Sequence, residues 1–174
     1  GDAAQIATPS VRDGGSDPSY SMLDGSDYYP EIFVGRFSAE NEPQVITQVQ
    51  KTIHYERDLT EESNWFDKAI GIASNEGTAP SDIEHMKAIA KKLLNYTYDS
   101  VDEFYQPYAT ATQVKNAVNA GRGMINYVGH GNTTGWVTSS FTNNHVKALT
   151  NYNKLPFIMS VACLNGNFTS STCF

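Results

Sequence analysis

Two apolar runs decide how this chain folds: Met124-Ile125-Asn126-Tyr127-Val128-Gly129-His130-Gly131 and Leu155-Pro156-Phe157-Ile158-Met159-Ser160-Val161-Ala162-Cys163. Each is a short stretch of β-branched, aromatic and other apolar residues bounded by glycine or proline, the pattern of a buried strand. A helical pattern lies between them, so they are expected to run parallel. Each ends abruptly in a reactive side chain, His130 or Cys163. In an open parallel sheet ligands bind beyond the carboxyl ends of the strands, and both residues are expected at that rim.

Working outward, the same alternation continues upstream. Ala69-Ile70-Gly71-Ile72-Ala73 reads as a strand, and residues 81–96 as a helix that turns Ile83, Met86, Ile89, Ala90, Leu93 and Leu94 inward. Ser81-Asp82-Ile83-Glu84 fits a capping box at its start. Residues 101–105 read as a strand, residues 112–120 as a helix with Val114, Ala117 and Val118 inward, and residues 142–149 as a short helix. The strand-helix alternation predicts a three-layer α/β fold with a mainly parallel sheet.

The first third is less regular. Residues 1–30 are rich in Gly, Asp, Ser and Pro and read as loop, because glycine permits positive φ and Asp and Ser side chains bond their own backbone. Glu31-Ile32-Phe33-Val34-Gly35-Arg36-Phe37 reads as a short strand. Pro43 opens a helix to about Arg57 with Val45, Ile46, Val49 and Ile53 at helical spacing. The polar stretch 59–64 suits a linker, which places a boundary near Trp65. Residues 1–64 and 65–174 are then separate subdomains, the second carrying His130 and Cys163.

Composition excludes several functions. With 40% hydrophobic residues and 18% charged ones the chain can bury a core, which argues against disorder. A formal net charge of -7, with no Lys/Arg cluster to reverse it locally, gives no footprint for a phosphate backbone, so nucleic acid is not expected as a partner. No apolar run approaches the ~20 residues that cross a bilayer. Cys163 and Cys173 make no disulfide framework, and their spacing leaves open whether they bond to each other. Zinc is disfavoured, because structural sites use four closely spaced ligands and no such cluster exists.

The chemistry implied by the two deciding strands is nucleophilic. A thiolate is the reactive form of cysteine, and an imidazole activates it by taking its proton. Gly129 and Gly131 leave room around His130, and the amides of Gly131 and Cys163 are placed to hold a developing oxyanion. The plain alternative is a small buried cysteine and a loop histidine without a joint role. Asp24, Asp27 and Glu31 offer oxygen ligands that suit a structural Ca²⁺, although their spacing is not that of an EF-hand loop.

Tyr127-Val128-Gly129-His130-Gly131, Leu155-Pro156-Phe157-Ile158 and Val161-Ala162-Cys163-Leu164-Asn165-Gly166-Asn167-Phe168 resemble the catalytic domain of the gingipains, bacterial cysteine endopeptidases with a caspase-like fold. Residues 28–37, 52–57, 72–77 and 145–151 are similar to the family as well, so the resemblance covers most of the chain. It implies a three-layer caspase-like fold, of which this chain is expected to be an incomplete fragment because it stops at Phe174, with residues 1–64 the later part of a first α/β subdomain and 65–174 the first part of the catalytic one. It also implies that Cys163 and His130 form the catalytic dyad with Glu76 as the acid behind the imidazole, and that Asp82 lies in the pocket for a basic side chain. Asp24, Asp27 and Glu31 fall where the family carries calcium. The activity implied is cleavage of protein or peptide substrates after a basic residue, Arg rather than Lys, by a secreted or bacterial surface enzyme with no catalytic cofactor. A prodomain or a second chain completing the fold is an expected partner. The alternative is a caspase-like domain without activity that serves assembly or binding.

Overall fold

The computed structural model describes residues 7–11, 14–60, 63–169 and 173–174. Its framework is four strands, β1 (Lys68–Ala73), β2 (Ser100–Tyr105), β3 (Met124–Val128) and β4 (Phe157–Val161), and four helices, α1 (Glu42–Arg57), α2 (Asp82–Leu94), α3 (Ala111–Ala120) and α4 (Asn143–Lys147). The strands pair in the order β2-β1-β3-β4, and every pairing is parallel. This is the parallel α/β sheet that the strand-helix alternation predicts.

The two faces of β1 differ chemically, and that difference produces the layers. Ile70 and Ile72 are fully buried in one cluster with Val114, Ala117 and Val118 of α3 and with Ile125 and Tyr127 of β3. Ala69, Gly71 and Ala73 point the other way, and their small side chains let α2 approach until Met86 rests over Gly71. With helices on both faces β1 must be apolar throughout, which is why it reads as a continuous run in sequence.

Helix starts follow the capping chemistry. Ser81 accepts from the Glu84 N–H while Glu84 accepts from the Ser81 N–H at 2.7 Å, which is the reciprocal box expected there. Thr110 and Gln113 make a second one at α3, and Asn41 caps α1 through the Gln44 N–H. Between β3 and α4 the chain forms a small antiparallel ladder of Gly131–Asn132, Gly135–Trp136 and Phe141–Thr142, which carries Trp136 and Phe141 into the core. Strands of two residues have no detectable period, so the sequence does not announce this ladder.

Three expectations are corrected. Residues 31–37 do not form a strand: Phe33 is fully exposed, and no ladder partner is present among the described residues. In α2 the inward face is narrower than expected, for Met86 and Ala90 are buried while Ile89 and Leu94 are 39% and 49% exposed. β4 was expected to be buried, yet it forms the sheet's edge among the described residues, and Phe157, Ile158, Met159 and Val161 are 49–63% exposed. Apolarity along a strand predicts that it wants a cover without specifying which element supplies one.

The irregular N-terminal segment is fastened by one ion pair. Asp17 accepts from Arg36 Nε and Nη2 and from the Thr8 hydroxyl, and the Arg36 guanidinium lies 5.1 Å from the centre of the Phe168 ring. Hydrogen bonds from Arg36 hold the Asp17 carboxyl down at about 2, against an ordinary 3.8. A carboxyl whose folded value is depressed stabilises above its unfolded value, and that contribution fades as pH falls from about 4 to 2. Arg36→Met is therefore expected to lower the thermal midpoint at pH 7 by a few degrees, corresponding to about 1–2 kcal/mol after solvent screening. At pH 2 the variant and parent should melt alike; an equal deficit at both pH values would assign the effect to packing on Phe168.

Candidate active site

The sheet register sets Ala73, Val128 and Val161 side by side at the carboxyl ends of β1, β3 and β4. The ladder runs one step further through Ser74 N–H to Val128 C=O at 3.0 Å and Gly129 N–H to Val161 C=O at 3.2 Å. Glu76, His130 and Cys163 therefore leave three adjacent strands at the same rim.

His130 is held by its backbone while its ring is left outside. Its carbonyl accepts from the buried Tyr127 hydroxyl and from the Val137 N–H at 2.9 Å. Gly129, at φ +151, permits this turn, and a Cβ there would lie 2.5 Å from the Thr138 hydroxyl oxygen. The imidazole Nε2 stands 3.0 and 2.9 Å from the two carboxylate oxygens of Glu76, with both side chains more than half exposed. An ionised carboxylate only accepts, so this contact assigns the proton of a neutral ring to Nε2 and leaves Nδ1 as the base.

Cys163 follows β4 into a sharp turn: Leu164 adopts φ +62, Gly166 φ +77, and the Asn165 N–H donates to the Cys163 carbonyl at 2.8 Å. The thiol is free and exposed, and Cys173 is free as well. Gly131 packs directly on this turn. A Cβ at Gly131 would lie 2.6 Å from the Cys163 carbonyl oxygen and 2.8 Å from Ala162 Cβ, so the histidine loop and the cysteine loop touch through backbone.

Two amides face this junction without partners of their own. The bond from Val137 N–H to His130 C=O makes Gly131 and Trp136 the close, non-hydrogen-bonded pair of their ladder, and in such a pair each N–H turns away from the partner strand. The Cys163 N–H donates to no protein group among the described residues.

Asp82 is brought to the same rim. Its carboxylate accepts from the buried Ser74 hydroxyl at 2.5 Å, and its N–H donates to the Glu76 carbonyl at 3.0 Å. Ser81 caps α2, so the Asp82 side chain is not spent on the helix end. Sequence reasoning missed Ser74, which also accepts from the Glu76 N–H at 3.3 Å and so frames both acids. A lone serine after an apolar strand carries no signal of such a role.

Asp24, Asp27 and Glu31 do not converge. Glu31 accepts from the Leu23 N–H at 2.6 Å and Asp27 from the Tyr29 N–H at 2.9 Å, and all three carboxylates are exposed. Among the described residues no group of three or more His, Cys, Asp or Glu side chains is arranged to hold a metal ion.

A parallel sheet that delivers a thiol, an imidazole and a carboxylate to one rim places the chain among α/β domains with a candidate thiol–imidazole site. The particular member is fixed by relatives: residues 1–174 match the family model described as peptidase family C25, and the chain belongs to that family. It is 44% identical over 173 residues to gingipain R2 of Porphyromonas gingivalis, covering 96% of this chain and 23% of that protein. A Lys-gingipain of the same organism is 30% identical over 155 residues, covering 88% of this chain and 9% of its own length. Among solved structures, the Arg-specific cysteine proteinase gingipain R superposes with a TM-score of 0.95 at 43% identity, covering 99% of this chain and 41% of that one. A complex of pro- and mature domains from P. gingivalis gives 0.95 at 42% identity, covering 99% and 42%. The chain thus spans less than half of the relatives it matches. No helix among the described residues is long and apolar enough to cross a membrane.

Proposed function

We propose that the complete protein is a cysteine endopeptidase that cleaves after a basic residue, with arginine preferred over lysine. The observation that carries this reading is the backbone contact of Gly131 with Cys163, which joins the loops of His130 and Cys163 while Glu76 lies 2.9 Å from the imidazole Nε2. In this scheme His130 Nδ1 takes the thiol proton, and the Cys163 thiolate attacks the carbonyl carbon. The carbonyl electrons move onto oxygen, which the amides of Gly131 and Cys163 receive. Collapse expels the amine, protonated by the imidazolium, and leaves a thioester that water hydrolyses with His130 again as base. Glu76 holds the tautomer and favours the charged ring.

Asp82 supplies the charge for the basic side chain. Its carboxylate is held by one hydroxyl and is partly exposed, which leaves lone pairs for a bidentate guanidinium. The higher identity to an R-type gingipain than to a Lys-gingipain supports arginine. Asp82→Asn is expected to lower kcat/KM for Arg substrates about 100-fold with a smaller loss on apolar ones. An unchanged ratio of Arg to apolar turnover would remove Asp82 from the pocket.

The same proposal includes a secreted or surface location, a boundary near Trp65, a regulatory prodomain and structural calcium at Asp24, Asp27 and Glu31. Calcium rests on three exposed carboxylates in one loop; a saturable rise in thermal midpoint with CaCl₂ supports it, and a flat response removes it. A caspase-like domain without activity is the alternative, separated by whether a thiol-reactive peptide ketone labels Cys163.

A further inference from the structure

One hydrogen-bonded relay runs from the core to the rim. Trp136, buried and stacked on Tyr127 with centroids 4.7 Å apart, donates its indole N–H to the Ser160 hydroxyl at 2.9 Å. Ser160 donates to Asn165 Oδ1 at 3.1 Å, and Asn165 Nδ2 donates to the Asn132 carbonyl at 2.7 Å, with the Gly135 carbonyl at 3.4 Å. The direction is fixed at both ends, because an indole N–H only donates and a backbone carbonyl only accepts. Ser160 must then accept from the tryptophan and donate onward, and the asparagine amide has a single satisfactory orientation.

The relay crosses the junction described above. Asn132 follows Gly131 in the histidine loop, and Asn165 lies two residues after Cys163 in the opposing turn. Its side-chain oxygen stands 3.0 Å from where a Gly131 Cβ would be. That turn places Leu164 at φ +62, a conformation a branched side chain keeps only when its surroundings over-determine it. We propose that Asn165 is a positioning residue: fixed by Ser160 and Trp136, it ties the Cys163 turn to the histidine loop and sets the spacing of the Gly131 and Cys163 amides. The inference rests on the peptidase reading for its kinetic consequence and on geometry alone for its structural one.

Asn165→Asp in the complete protein keeps the shape of the side chain, removes both N–H donors and sets a carboxylate against the Asn132 carbonyl. We expect kcat to fall about 30- to 100-fold with KM changed less than about threefold, since misplaced transition-state donors cost turnover rather than ground-state binding. Inhibition by an Arg-ended peptide aldehyde, which forms the tetrahedral oxyanion, should weaken in parallel. Alkylation of Cys163 by chloroacetamide, which forms none, should stay within about twofold. Ser160→Ala should give a smaller loss, about fivefold, and the double variant less than the product of the two. A kcat within about twofold of the parent overturns the proposal, and so does a chloroacetamide rate that falls along with kcat, which would place the effect on the thiol or on folding. If the parent shows no turnover, the peptidase reading fails by itself, and exchange of the Val137 amide, which bonds the His130 carbonyl in the histidine loop, decides the positioning: faster in Asn165→Asp supports it, unchanged overturns it.

Discussion

Replacing Cys163 with alanine is expected to abolish the proposed hydrolysis of Arg-ended peptide substrates, lowering kcat/KM by about 10⁴-fold or more while the thermal midpoint stays within a few degrees. The size follows from what is lost. The proposed nucleophile is removed, and water must attack without covalent catalysis, helped solely by the oxyanion amides and by substrate binding. The unchanged midpoint follows from exposure, because a side chain facing solvent contributes little packing. Active-site titration gives the readout: parent protein should release one equivalent of leaving group in a burst, and the variant none. Residual turnover above about 1% of the parent would assign the nucleophile to another residue.

Gly131→Ala carries the second largest effect, and for a different reason. Its new methyl group would lie 2.6 Å from the Cys163 carbonyl oxygen, which belongs to backbone and cannot rotate away. Relief requires the two loops to separate, and a displacement of about 1 Å between reacting groups costs on the order of 100-fold in rate. We expect kcat to fall 100- to 1,000-fold, with about 1–3 kcal/mol of destabilisation from overpacking. Gly35→Ala is the matched control, since nothing lies within 4 Å of the added Cβ and no unusual φ is needed there. Its kinetics should be those of the parent. If Gly131→Ala retains more than about a tenth of parental kcat, the contact between the loops is not what assembles the site.

The parts of this structure legible from sequence are those where many residues carry one signal. β1 and β3 are largely covered, so apolar residues dominate them apart from Lys68 and Asn126, and the runs stand out; α2 declares its start because Ser81 and Glu84 satisfy each other's backbone. His130 and Cys163 could be placed at one rim because parallel strands in an α/β sheet end on the same side. Residues that act singly were not legible. Ser74, Asn165 and the Tyr127 hydroxyl each do their work through a few hydrogen bonds to partners 2 to 33 positions away in sequence, and no periodicity marks such a bond. Residues 31–37 show the converse error, where β-forming side chains suggested a strand although no partner strand is present among the described residues. Cross-strand pairing, rather than propensity, decides whether such a segment becomes sheet. The exposed flank of β4 has the same origin, for its apolar side chains state a need for cover without naming what provides it.

The account depends on Cys163 and His130 acting as one unit at the sheet's rim, and affinity labelling tests that most directly. The complete protein is treated with an Arg-ended peptidyl acyloxymethyl ketone at pH 7, digested, and mapped by mass spectrometry. The predicted result is one adduct, on Cys163, with Cys173 unmodified and labelling slowed by at least about 100-fold in His130→Ala. An adduct on Cys173, or labelling of Cys163 at an equal rate without the histidine, would contradict it.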